Sequence, residues 1–147
     1  MFSTLLKHLK SIFSIMPKQE YIDKNREWLA AKSREEGVMP IDKGIFYKVI
    51  NRGAASGQHP NRNSVVVVHY TGRLINGKQF DTSRGGAPAA LRLRELIPGW
   101  QIALQHMRPG DRWELYLPAE QAYGKRGVPG IPGGSTLVFD IELKNIG

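Results

Sequence analysis

The side chains able to do covalent or metal chemistry are few in this chain and poorly spaced for it. There is no cysteine, which removes thiolate nucleophiles, disulfide frameworks and Cys-based zinc sites. His8, His59, His69 and His106 show neither H-E-x-x-H nor any other paired spacing, so the pattern argues against a metal site and a histidine-based triad. Asp81 and Glu95 could be posed as paired acids, yet nothing in the order of elements brings them together, and glycosidase chemistry is a weak reading. The glycine-rich run from Tyr123 to Gly134 lacks the G-x-x-x-x-G-K-[ST] spacing and precedes a strand, whereas a phosphate loop opens a helix. What remains is a set of aromatic and aliphatic residues beside one acid, Asp81, that reads as buried.

The elements that must position this set follow from periodicity. In Val65 to Tyr70, a period of two puts Val66, Val68 and Tyr70 on one face and Val65, Val67 and His69 on the other, and both faces read as largely buried. Asn76-Gly77 predicts a hairpin that returns the strand through Lys78, Gln79, Phe80 and Asp81. Two more half-buried strands follow: Trp113, Leu115 and Leu117 alternate with Arg112, Glu114 and Tyr116, and Leu137, Phe139, Ile141 and Leu143 alternate with Val138, Asp140, Glu142 and Lys144. A single helix interrupts the strands. Pro98-Gly99 opens it, Trp100, Ala103, Leu104 and Met107 form its stripe, and Arg108 to Asp111 ends it. The predicted class is α+β, a curved antiparallel β-sheet wrapped around one short helix and preceded by an N-terminal helical extension.

That extension covers residues 1–36, and the compact domain covers 37–147. Residues 1–16 form an amphipathic helical pattern with Phe2, Leu5, Leu6, Leu9, Ile12, Phe13 and Met16 on one side. Lys7 and Lys10 interrupt any signal-peptide core, and no small-residue cleavage site follows, so a cytoplasmic location is expected. The stripe suits a homodimer seam, intramolecular packing or contact with an anionic membrane surface, unless Met16 is the true start. After Pro17, a second helical stretch runs from about Lys18 to Glu36, with Tyr21, Ile22, Trp28 and Leu29 on its stripe and Gly37 as its stop.

The 147 residues, 41% hydrophobic and 23% charged, hold one domain plus a short extension, and no apolar run of bilayer length occurs. The formal charge of +8 divides into +2 over residues 1–36 and +6 over 37–147, with no block of like charge. A solvated basic surface accounts for it, and no nucleic-acid partner is expected.

Six runs in order carry a family likeness: VHYTG from Val68, FDTS from Phe80, IPGW from Ile97, AYG from Ala122, PGIP from Pro129 and TLVFD from Thr136. Together they resemble the FKBP-type peptidyl-prolyl cis-trans isomerases over roughly residues 41–146, and the preceding helix is similar to the lead-in of bacterial Mip-like and FklB-like members. The resemblance implies that Tyr70, Phe80, Asp81, Leu96, Ile97, Trp100, Tyr123, Ile131 and Phe139 line a proline-binding hollow. In it Trp100 is the floor, and Tyr70, Phe80 and Phe139 are the walls. The Ile97 N–H and the Tyr123 hydroxyl bind carbonyls, and Asp81 closes a polar corner. Tyr70, Asp81 and Tyr123 are thus the candidate catalytic groups, and the other six bind substrate. Leu96 stands where the family usually has Val. Two rim positions also depart from the family: Ala89 or Leu91 replaces an aromatic residue, and Val128 replaces a His found in some members. The implied partners are proline-containing unfolded or flexible polypeptides and a macrolide inhibitor, with no cofactor and no metal.

Elementary chemistry agrees with that function. Rotation about a planar amide meets a barrier of roughly 18–20 kcal/mol, and uncatalysed exchange at X-Pro takes roughly tens to hundreds of seconds. Twisting the C–N bond removes resonance and its charge separation, so a dry apolar hollow favours the twisted form over the planar one. Lowering the barrier by about 5 kcal/mol gives acceleration of several thousandfold. For any one aromatic the plain alternative is a core residue, Asp81 also fits a turn or cap, and Tyr123 also fits a core tyrosine at a loop base. The rival function is a non-catalytic module that grips proline segments, or a holdase.

Overall fold

The computed structural model describes residues 18–54 and 56–147. The expected α+β architecture is present. A seven-stranded antiparallel sheet has the order β1-β2-β6-β9-β3-β4, and β5 also pairs with β3. Its strands are β1 (Val38–Pro40), β2 (Phe46–Asn51), β3 (Val65–Leu74), β4 (Gln79–Thr82), β5 (Ala89–Arg92), β6 (Arg112–Leu117) and β9 (Leu137–Ile146). A small hairpin of β7 (Gly127–Val128) and β8 (Ile131–Pro132) lies in the glycine-rich run. At the β3–β4 turn, the Leu74 and Gly77 N–H groups donate to the Lys78 and Leu74 carbonyls, as the Asn76-Gly77 pair predicts. Strand β3 is shared along one edge: β5 pairs with Val65–Val68 and β4 with Thr71–Arg73, while β9 runs along the other edge.

Helix α2 (Pro98–Leu104) packs on one face of the sheet, where Trp100, Ala103 and Leu104 meet Val66, Val68, Leu115, Leu117 and Ile141 in the main core. Helix α1 (Lys18–Ser33) covers the opposite face, where Leu29, Val38 and Tyr116 form a second buried cluster flanked by Trp28, Phe46 and Val138. Three expectations are corrected here. The helix ends at Ser33 rather than near Glu36, because the Arg34 and Glu35 N–H groups turn to carbonyls three residues back, which tightens the exit before Gly37. The Val65–Val67–His69 face is half-buried rather than buried, since α1 lies over β6 and not over β3. Tyr116, assigned by alternation to the polar side of β6, is 1% exposed because α1 seals that side. The expected stripe on residues 1–16 lies outside the described residues. Among the described residues no helix is long and apolar enough to cross a membrane.

Candidate active site

The first turn of α2 lies under the sheet, with Pro98 at its start and Ile97 as its N-cap in extended conformation. That entry turns Trp100 into the core, where it is 4% exposed. Tyr70 from β3 and Phe139 from β9 stand edge-on to the Trp100 ring, at centroid distances of 5.1 and 5.2 Å. Phe80 from β4 meets Phe139 edge-on at 5.6 Å. Edge-to-face contacts hold each ring in place. Gly72 makes room for this arrangement, since a Cβ there would fall 2.6 Å from Phe80 and 2.7 Å from Phe139.

The rings enclose a cavity of about 330 Å³, a volume suited to a small ligand or a short piece of peptide. Trp100 is its floor, and Tyr70, Phe80 and Phe139 are its walls, with Leu96 and Ile97 along the α2 entry and Asp81 and Tyr123 at the rim. Eight of the nine expected residues are therefore together. Ile131 is not among the lining side chains. It is 5% exposed and packs into the main core, because β8 turns its alternate side chain inward beneath the loop. Asp81 is also corrected: it is exposed rather than buried, lying near the end of the edge strand β4. Leu91 and Glu95 complete the lining. Asp81 and Glu95, expected to lie apart, share this rim because β3 brings the β4 hairpin and the β5 return side by side. Only the sheet topology could have revealed that pairing.

The Tyr70 hydroxyl donates to Asp81 Oδ2 at 2.7 Å. Burial, reinforced by that hydrogen bond and the carboxylate charge, pushes the Tyr70 hydroxyl up to about 12. Burial and then the Asp81 charge also raise Tyr123. Both hydroxyls hold their protons at neutral pH and act as donors rather than bases. Among the described residues neither the buried Trp100 Nε1–H nor the Ile97 N–H has an acceptor. His69 lies off the site, its Nδ1 3.0 Å from the Ser83 hydroxyl. No cluster of three metal-ligating side chains occurs among the described residues.

A larger cleft of about 600 Å³ lies elsewhere, beside Tyr47 and Trp113, whose rings stack at 4.0 Å. Its Asp111 carboxylate accepts from the Gly53 and Arg108 N–H groups, and Arg108 Nε donates to the Gly57 carbonyl. Those bonds fasten the loop after β2 to the exit of α2, so the cleft's size carries no chemistry comparable with the smaller hollow.

The family model of the FKBP-type peptidyl-prolyl cis-trans isomerases matches residues 56–144, which contain every lining residue of the hollow. The chain belongs to that family. It is 43% identical over 126 residues to the peptidyl-prolyl cis-trans isomerase Mip of Coxiella burnetii, an alignment covering 84% of this chain and 54% of that protein. It is 44% identical over 124 residues to the FKBP-type peptidyl-prolyl cis-trans isomerase FkpA of Escherichia coli, covering 84% of this chain and 45% of that one. The chain spans about half the length of these curated relatives. A crystal structure of a peptidyl-prolyl cis-trans isomerase from Pseudomonas syringae superposes with a TM-score of 0.83 at 36% identity, covering 90% of this chain and 97% of that one. The FKBP hollow and its α2 floor are thus placed within a shared fold.

Proposed function

We propose that this FKBP domain accelerates cis–trans rotation about X-Pro bonds in flexible or unfolded polypeptides. The observation that carries the reading is one cavity in which three fixed rings close over a buried tryptophan while the charged groups stay at the rim. The prolyl ring sits among Tyr70, Phe80 and Phe139 above Trp100. Its amide loses resonance and charge separation as it twists, and an apolar wall favours that less polar state relative to water. The unpartnered Ile97 N–H and the Tyr123 hydroxyl hold the flanking carbonyls, and the Tyr70–Asp81 pair fixes the polar corner. Nothing covalent forms and no proton moves. A macrolide inhibitor occupies the same hollow, whose lining includes Leu91. All of these residues fall within 37–147.

The test is a protease-coupled or NMR exchange assay on a Leu-Pro or Phe-Pro tetrapeptide. Lowering the barrier by about 5 kcal/mol accelerates exchange by several thousandfold at saturation. Exchange at the solvent rate in the presence of folded protein would overturn the proposal.

A further inference from the structure

The loop between β6 and β9 brings Tyr123 to the rim of the hollow, and α1 grips that loop from the other side. Asn25 is fully buried at the centre of the grip. Its Oδ1 accepts the Thr136 N–H at 2.9 Å, and its Nδ2 donates to the Tyr21 carbonyl at 2.8 Å. The Asn25 carbonyl accepts the Thr136 hydroxyl at 3.2 Å. One turn earlier, the Tyr21 hydroxyl lies 2.6 Å from Ser135 Oγ. Because Ser135 donates its own proton to the Pro132 carbonyl, Tyr21 is the donor there, and the chain of bonds runs from α1 into β8. Between these contacts Ile22 presses on Gly134, where a Cβ would fall 2.4 Å from Ile22 Cγ1 and where φ is +84°. The Gly134 N–H then donates at 2.9 Å to the carbonyl of Gly124, the residue after Tyr123.

A helix that only covered the sheet would carry an apolar residue at this position, as it does at Leu29. A buried amide is costly unless its bonds are all made, and a satisfied network fixes one arrangement where apolar packing tolerates several. We propose that Asn25 is a positioning residue: through Thr136 and Gly134 it sets where the Tyr123 hydroxyl stands over the hollow. This inference rests on the isomerase reading given above.

The experiment is a double-mutant cycle on the full chain, using Asn25→Leu and Tyr123→Phe and reading kcat/KM on a Phe-Pro tetrapeptide together with amide hydrogen exchange. Asn25→Leu lowers kcat/KM about fivefold, as a displaced contact group does. The double variant falls little below either single one, because the hydroxyl removed is already misplaced. Combined with Leu96→Ala instead, the two losses multiply. Exchange at Gly134 and Thr136 rises by about tenfold or more while the Val68 amide in the core is unchanged. Tyr21→Phe, which removes only the bond to Ser135, shows the same pattern at smaller amplitude and decides the matter if Asn25→Leu does not fold. Multiplying losses with Tyr123→Phe, or unaltered exchange at Gly134, would overturn the proposal. A parent protein no faster than solvent would sink the isomerase reading itself, and the exchange data would still report whether α1 holds the loop.

Discussion

Tyr70 and Tyr116 both donate a hydroxyl to a carboxylate, to Asp81 at 2.7 Å and to Glu114 at 2.8 Å, and burial is the leading cause that raises both above the ordinary tyrosine range. Their surroundings differ completely. Tyr116 is 1% exposed beneath α1, with Trp28 edge-on at 6.0 Å and the Lys32 ammonium 5.5 Å from its ring centroid. Tyr70 faces the open 330 Å³ hollow. On the α1 side the buried polar side chains Asn25, Ser135 and Thr136 have protein partners, whereas the Trp100 Nε1–H at the floor of the hollow has none among the described residues. A tyrosine–carboxylate pair is therefore no mark of a site by itself. Free volume in front of it is what separates a binding wall from a rivet.

The sharpest test of that contrast is to delete the two carboxylates in parallel. Asp81→Ala frees the Tyr70 hydroxyl and opens the rim, and kcat/KM on X-Pro peptides is expected to fall about tenfold or more, with Phe80→Ala giving a loss of the same order. Glu114→Ala, by contrast, leaves kcat/KM within about twofold. Circular dichroism and urea titration on each variant separate loss of site from loss of fold. Equal losses for Asp81→Ala and Glu114→Ala would erase the distinction between the two faces.

A smaller effect is expected when the hydroxyls themselves are removed. Tyr116→Phe leaves a buried ring without its bond to a charged acceptor and lowers stability by about 1–2 kcal/mol, with activity retained. Tyr70→Phe reverses the pattern, with kcat/KM down about threefold and the urea midpoint nearly unchanged, because Asp81 is exposed and water replaces the lost donor. If Tyr70→Phe cost stability and spared activity, Tyr70 would be a structural residue like its counterpart.

The elements that carry the hollow could be read in the sequence because they obey short-range rules, while the grouping of its residues comes from the family resemblance. Alternation in β3 and β9 aims Tyr70 and Phe139 to one side, Asn76-Gly77 folds Phe80 back beside them, and Pro98 starts the helix that buries Trp100. What escaped depends on contacts between distant parts of the chain. Tyr116 reads as surface by alternation until a helix from the other end of the chain covers it. Asn25 is absent from the predicted stripe, although it lies four positions from both Tyr21 and Leu29, because that stripe is chosen by hydrophobicity. The grouping of Glu95 with Asp81 needs the shared edge of β3, and the inward turn of Ile131 needs the two-residue β8. Periodicity sets which way a side chain points, and tertiary packing decides whether anything lies there.

The smallest expected effect is on pH, and it divides into two windows. Activity is expected to vary by less than about twofold between pH 6 and 9, because the hollow's hydroxyls, Tyr70 at about 12 and Tyr123 also raised, keep their protons throughout. Among the described residues no histidine lines the hollow, so no group of the near-neutral kind faces the substrate. Stability behaves differently at high pH. Tyr70 and Tyr116 hold their protons more tightly folded than unfolded, so the native state binds more protons above the ordinary tyrosine value of 10, and stability falls as pH rises. The stabilisation from Tyr70 is complete below about pH 10 and is lost as pH climbs through about 12. Urea midpoints measured from pH 8 to 11.5 should therefore be level at first and then decline, with a shallower decline in Tyr116→Phe. Meanwhile kcat/KM at constant ionic strength, on a non-ionising peptide, stays flat to pH 9. A sigmoid in kcat/KM near neutrality that disappears in His69→Gln would place proton transfer in the mechanism and refute a hollow that works by desolvation and hydrogen-bond donation alone.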